Sequence, residues 1–190
     1  MRHLAPASLL SLLGLSLALG CSEGTSPTDA VRPTLRAGGR SGFGFNGEVS
    51  GFPTGAVRLT GGGSFDPNTA SNTVPTETSV HSAGGFDCTA TVAQGPLAGC
   101  AAGQGVRWDT AQLLASTTFK CTGSDAGKPA VTDAHTAVLR ADFYRAGDGN
   151  DESFTGQIIV ADRDIAPDIP GVQNLWIQGV GCGTAIVNFN

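Results

Sequence analysis

The stretch that decides the fold runs from His135 to Asp162 and reads HTAVLRADFYRAGDGNDESFTGQIIVAD. Small or apolar residues occupy every odd position of residues 137–143 and every even position of residues 154–160. This period of two indicates two strands, each with one buried face. The segment 146–151 between them, AGDGND, consists mainly of residues that favour turns. The stretch therefore predicts a β-hairpin.

The register of this hairpin follows from the pairing of its two inward faces. If Phe143 lies opposite Phe154, every other inward residue also meets an inward partner, whereas a slip of one residue would turn an apolar face toward solvent. The remaining inward pairs are Ala141 with Gly156, Leu139 with Ile158, and Ala137 with Val160. The outward pairs are Asp142 with Thr155, Arg140 with Gln157, and Val138 with Ile159.

Aromatic residues that face outward are candidates for a binding surface. The predicted register turns Tyr144 outward, so we take it as the candidate for surface binding. Trp108 and Trp176 could form a sugar platform, but tryptophans are more often core or rim residues of a β-domain.

The rest of the chain reads as more short strands separated by turns. Glycine accounts for 28 of the 190 residues and charged residues for only 14%, a composition that favours strands and tight turns over helices. Residues 41–54 carry a Gly-aromatic pattern that fits a first edge strand or an ordered arm. We therefore predict one all-β domain over residues 41–190, an antiparallel β-sandwich or small β-barrel of about 8–10 strands.

The N-terminus has the pattern of an export signal. Residues 1–20 hold Arg2 and then an apolar run, LLSLLGLSLALG, which is too short for a spanning helix and predicts a signal peptide. Residues 18–21, Ala-Leu-Gly-Cys, resemble the lipobox of bacterial lipoproteins. That resemblance implies that Cys21 becomes the acylated first residue, with residues 21–40 as lipid anchor and flexible tether. Ala18 and Gly20 would also suit an ordinary signal peptidase, which would leave no lipid.

The lipoprotein resemblance also implies a location and a partner. The domain would lie outside the cytoplasm, held to a membrane of the cell envelope through the lipid. Ser22 after the cysteine implies the outer membrane in a cell that has one.

The cysteine count supports both the lipid and an oxidising compartment. The chain has five cysteines, so four remain beyond Cys21, and they lack the close spacing of a zinc site. Four cysteines can pair in three ways. Cys88 and Cys100 flank a Gly-Pro turn, so their pairing costs the least chain entropy and would leave Cys121 to pair with Cys182. We predict a disulfide-stapled domain with these two bridges.

Charge and motifs narrow the function. Net charge is −5, with eight of the 16 acids between Asp133 and Asp168, so a nucleic-acid partner is not expected. No G-x-S-x-G nucleophile motif occurs, and His81 and His135 each fall in an apparent strand. We therefore expect a non-enzymatic structural or binding domain of unknown ligand, with an envelope protein or a glycan as candidate partner. The Gly61-Gly62-Gly63 run, the strands that carry cysteines and the turn GDGNDESF resemble small secreted bacterial β-domains. This resemblance covers residues 56–190 and implies a secreted β-module of unknown activity.

The alternative is a secreted hydrolase that uses acidic loop residues. Its candidate acids are Asp142 with Glu152, or Asp162, Asp164 and Asp168. A deep pocket holding two carboxylates of raised pKa would favour the hydrolase, whereas a filled core with flat polar faces would favour the binding domain.

Calcium is the one candidate cofactor. Asp148, Asn150 and Glu152 offer oxygen atoms at alternate positions of the hairpin turn, as in the opening of calcium loops. Asx-turn hydrogen bonding explains the same residues without a metal.

Overall fold

The structure, a computed structural model, describes residues 39–75, 79–144 and 154–190. These residues form eleven β-strands and one short 3-10 turn, and they contain no α-helix. The strands are β1 Ser41–Gly51, β2 Ala56–Phe65, β3 Val80–Ala90, β4 Arg107–Leu113, β5 Ser116–Phe119, β6 Lys128–Val131, β7 Thr136–Tyr144, β8 Phe154–Ala161, β9 Leu175–Ile177, β10 Gly181–Gly183 and β11 Ala185–Phe189. The all-β prediction is confirmed.

Nine strands form one antiparallel sheet in the order β10-β9-β8-β7-β4-β3-β2-β1-β11, and this sheet closes on itself. Closure occurs at β1, where Ser50 and Gly51 pair with Cys182 and Gly181 of β10. Strand β11 continues along the same side of β1. The sheet is therefore a β-barrel rather than a sandwich, with β10 and β11 as successive segments beside β1.

The expectation that residues 41–54 form an edge strand or an arm is wrong. Strand β1 pairs with β2 along one side and with β10 and β11 along the other, so it lies inside the closed sheet. Its start is tied to the end of β11, because Gly42 and Asn190 exchange two backbone hydrogen bonds of 3.0 Å. The alternating Phe43 and Phe45 point into the core, where each is only 6% exposed.

The hairpin prediction is confirmed pair by pair. Strands β7 and β8 are antiparallel, and their register runs without a slip from Phe143 opposite Phe154 to Thr136 opposite Ala161. Residues 145–153, which include the predicted turn, lie outside the described residues, so that turn stays a prediction.

Side chains pack the interior of the barrel. Phe143 is fully buried and contacts Phe86 edge-to-face at 5.2 Å between ring centroids and Phe154 at 5.4 Å. Trp108 is also fully buried, and its indole nitrogen donates to the carbonyl of Thr60 at 2.9 Å. The ring of Trp108 occupies the space beside Gly61, where a Cβ would lie 2.5 Å from the ring. Any side chain at residue 61 would therefore displace the tryptophan.

A second, smaller core lies outside the barrel wall. Strands β5 and β6 form a separate hairpin, which we call the outer hairpin, in the connection from β4 to β7. It belongs to a hydrophobic cluster whose buried members are Leu114, Phe119, Cys121, Ala130, Val138, Ile159, Ala166, Trp176 and Cys182. Val138 and Ile159 thus face outward as predicted, yet both are fully buried. The wall behind the hairpin is apolar on both faces.

Two disulfides join the chain in the predicted pairing. Cys88 bonds to Cys100, and Cys121 bonds to Cys182. The first closes a short loop after β3, and the second attaches the segment after β5 to β10. The second bridge therefore links the outer hairpin to the strand that closes the barrel.

The register predicts a large difference between two neighbouring aromatic residues. Phe143→Ala should leave a cavity in the core and lower the free energy of unfolding by about 3–5 kcal/mol. Tyr144→Ala should cost about 1 kcal/mol or less, because this ring is only half-buried on the outer face. Urea unfolding of both variants measures the difference, and equal losses would contradict the inward orientation of Phe143.

Candidate functional site

A pocket lies between the outer hairpin and the barrel wall. We call it the hairpin pocket; its volume is about 420 Å³, and its lining residues are Phe52, Gly95, Pro96, Thr117, Thr118, Lys120, Gln157, Trp176, Gln178 and Gly179. These residues come from β5, β8, β9 and four connecting segments. The volume falls within the range of roughly 300–1,000 Å³ that is usual for ligand sites.

Trp176 attaches the outer hairpin to the floor of the pocket. Its indole nitrogen donates to the carbonyl of Lys120 at 2.8 Å, and its ring contacts Phe119 edge-to-face at 5.8 Å. The residue is only 3% exposed, so its role is mainly to position β5. The Cys121–Cys182 bond follows directly and holds the same segment in place.

One rim of the pocket depends on close backbone packing between two glycines. Gly95 and Gly179 have φ angles of 74° and 79°, and a Cβ on either would lie 2.7 Å from the Cα of the other. The amide nitrogen of Gln94 ties this rim together by donating to the carbonyls of Thr54 and Gly179, each at 2.8 Å. A larger residue at either glycine would push the two loops apart.

Two glutamines supply the polar side of the pocket. The side-chain oxygen of Gln178 accepts from the backbone N–H of Gln157 at 3.2 Å. The side-chain oxygen of Gln157 accepts from the hydroxyl of Thr117 at 2.5 Å. Within the described part of the chain, neither glutamine nitrogen has a protein acceptor. The pocket therefore offers two amide nitrogens that can donate hydrogen bonds, and each amide oxygen already accepts one hydrogen bond from the protein.

The pocket was not predicted from the sequence. Its residues are spread from position 52 to position 179, and no local motif contains more than a few of them. Trp176 was noted for a sugar platform, but it lies mostly buried under the hairpin. The one sequence signal was Gln157, a long polar residue that was predicted to face outward from the β7–β8 hairpin.

Tyr144 faces outward as predicted but does not line the hairpin pocket. The Arg107 guanidinium lies 4.3 Å from the centroid of its ring, a cation–π contact. Arg107 sits opposite Tyr144 in the β4–β7 ladder, so the pair covers the outer face of that part of the wall. Surface binding through Tyr144 stays a prediction.

The candidate calcium ligands Asp148, Asn150 and Glu152 lie outside the described residues, and calcium binding stays a prediction. Elsewhere in the described ranges, no group of three or more His, Cys, Asp or Glu side chains could hold a metal ion.

The acids considered for hydrolysis have structural partners. Asp162 contacts the Nδ1 atom of His135 at 2.7 Å, and Asp168 pairs with Lys128 at 3.1 Å. Asp164 accepts backbone N–H groups from the loop 165–173 at 2.9 and 3.2 Å. None of these three acids lines the hairpin pocket. Glu152 lies outside the described residues, so its pairing with Asp142 is not tested.

Among the described residues, two carboxylates have shifted pKa values, and both shifts are downward. Burial raises the pKa of Asp133. Hydrogen bonds from the backbone N–H of His135 and from Arg163, together with the charge of Arg163, outweigh this effect, so the net shift of the pKa is downward. A hydrogen bond from the Thr122 side chain is the largest cause that lowers the pKa of Asp125. A general acid at neutral pH needs the opposite shift.

The lowered pKa of Asp133 predicts a pH-dependent contribution to stability. The contribution is present above the unfolded pKa near 3.8 and is lost as the pH falls through the lower folded value. Asp133→Asn should therefore reduce the free energy of unfolding at pH 7 by about 1 kcal/mol or less, since the side chain is 41% exposed, and should have a smaller effect in acid, below the unfolded pKa. Thermal unfolding at both pH values tests this, with Asp87→Asn as the control. An equal loss at both pH values would contradict the ionic explanation.

Comparisons with known proteins add no relative to this description. No family model matches the chain, and no curated protein or solved structure matches it either. Over the described ranges, no helix has the length and hydropathy needed to cross a membrane.

Proposed function

We propose that this chain is a cell-envelope lipoprotein whose β-domain binds a ligand in the hairpin pocket and does no chemistry on it. The observation that carries the proposal is the pocket itself. It combines apolar walls with two amide nitrogens that the rest of the described chain leaves available. Such a combination is typical of a binding site, because a few polar groups orient a ligand that apolar surfaces hold.

The packed interior of the barrel favours a ligand site on the outer surface over one inside the barrel. The largest core residues, such as Trp108 and Phe143, are fully buried there. A ligand would therefore bind on the outer surface, where the hairpin and the loops create concavity. The hydrolase remains the alternative, and it would need two carboxylates that face one cleft.

The sequence at the start of the chain supports the anchor. The Gly20–Cys21 junction resembles a lipoprotein processing site, and the two disulfides use the other four cysteines. Disulfides are typical of exported domains. If residues 22–40 form a flexible tether, the domain would lie on average about 24 Å from the lipid.

The anchor predicts how the protein fractionates. Wild type should sediment with membranes and dissolve in detergent, whereas Cys21→Ser should appear in the soluble fraction, because the acyl chains would be absent. Ser22→Ala is the control and should stay with the membranes. Metabolic labelling with palmitate checks the chemistry, and equal solubility of wild type and Cys21→Ser would contradict the proposal.

The pocket predicts which surface variant abolishes binding. Thr118→Trp adds bulk to an exposed lining residue and should reduce binding of the full-length Cys21→Ser chain to isolated cell envelopes by about tenfold or more. His81→Trp adds the same bulk to the outside of β3 and should leave binding within about twofold. Sedimentation with labelled protein measures both. If the two variants bind alike, the hairpin pocket is not the ligand site.

A further inference from the structure

We infer that the hairpin pocket binds a saccharide unit that carries a carboxylate. This inference rests on the proposed function, which makes the pocket a ligand site. It adds the chemical class of the ligand, and it follows from three properties of the lining.

The first property is the orientation of the amides. The partner of the Gln178 oxygen is the backbone N–H of Gln157, which can only donate, so the oxygen must face it and the Gln178 nitrogen faces away. The Gln157 oxygen accepts one hydrogen bond, from the hydroxyl of Thr117. Each glutamine oxygen thus has a protein donor, whereas neither nitrogen has a protein acceptor in the described part of the chain, so the unused capacity of the two amides is mainly that of donors. A complementary ligand is rich in acceptors.

The second property is charge. Lys120 is the one charged residue among the lining residues, and none of them is acidic. Arg140 lies directly across the β7–β8 ladder from Gln157 and adds a second cation near the pocket. The chain as a whole has a net charge of −5, so this area is a local reversal of sign. A pocket of donors beside two cations favours an anionic acceptor, which a carboxylate provides.

The third property separates a saccharide from a peptide. Phe52 and Pro96 offer apolar surface for the C–H face of a sugar ring. A peptide would bring backbone N–H groups that need acceptors, and each glutamine oxygen already accepts one hydrogen bond from the protein. Sugar hydroxyls can accept from the glutamine nitrogens and direct their own protons to water. The lining therefore favours an acidic sugar over an acidic peptide.

Calorimetric titration of the full-length Cys21→Ser chain tests this inference. The probes are an oligogalacturonate, a neutral oligogalactoside of the same length and an oligoglutamate peptide of the same charge. We expect the oligogalacturonate to bind about tenfold more tightly than either of the others, because only it supplies both the ring and the carboxylate. Raising the salt concentration should weaken this binding.

Variants assign the binding to the pocket. Lys120→Ala and Gln178→Ala should each weaken oligogalacturonate binding by about tenfold, since each removes a donor to the anion or ring. Arg58→Ala removes a charge from the outside of β2, and Gln173→Ala removes an amide from an outer loop. Both control variants should stay within about twofold of the parent.

The other outcomes overturn the inference in distinguishable ways. Equal binding of the neutral sugar, with no effect of Lys120→Ala, would exclude the carboxylate. Equal or tighter binding of oligoglutamate would exclude the saccharide. Failure of all three probes, while Thr118→Trp still abolishes envelope binding, would overturn the ligand class and leave the proposed function standing. Ligand binding at the hairpin pocket, the part of the proposed function on which this inference rests, fails if Thr118→Trp has no effect on envelope binding.

Discussion

Pairing between β1 and β10 is the constraint on which the rest of the structure depends. Without it the sheet would be open and would expose unpaired N–H and C=O groups at two edges, which promote aggregation. With it, the barrel has a fixed circumference and a fixed interior volume. The side chains inside must match that volume, which is why Gly61 faces Trp108 and why the Phe residues alternate along β1.

The outer hairpin gives this otherwise uniform barrel one distinct side. By covering Val138 and Ile159, it adds a second core outside the wall and raises the burial of the strands beneath it. The hairpin pocket is a by-product of this layering, because a hairpin that lies on a curved wall leaves space along its edge. The position of that edge depends on Trp176 and on the Cys121–Cys182 bond.

The β7–β8 hairpin could be predicted because the residues that determine its register are close together in the sequence. The two inward faces of β7 and β8 are separated only by one turn, so side-chain period alone specifies the register. Disulfide pairing was predictable for a related reason, since the short Cys88–Cys100 loop left one choice for the other pair. The all-β class followed from composition and from the number of short alternating segments.

Closure and the pocket could not be predicted because they depend on distant residues. Ser50 pairs with Cys182 at the point where the two ends of the curved sheet meet, and no pattern near residue 50 indicates that contact. Val138 and Ile159 follow the outward period correctly, but period does not show that another hairpin will cover that face. Gln157 and Gln178 lie together only because β8 pairs with β9, which brings residue 178 beside residue 157.

The hydrogen bonds between Gly42 and Asn190 have a consequence for how the domain can be presented. They bring the first strand and the last residue to the same rim, so a tether before residue 41 and any fusion after residue 190 would emerge side by side. The same proximity makes the domain suitable for circular permutation. A short linker could join these ends, and new ends could be opened in the exposed turn of the outer hairpin, which would give a barrel that is held to a surface from its opposite side.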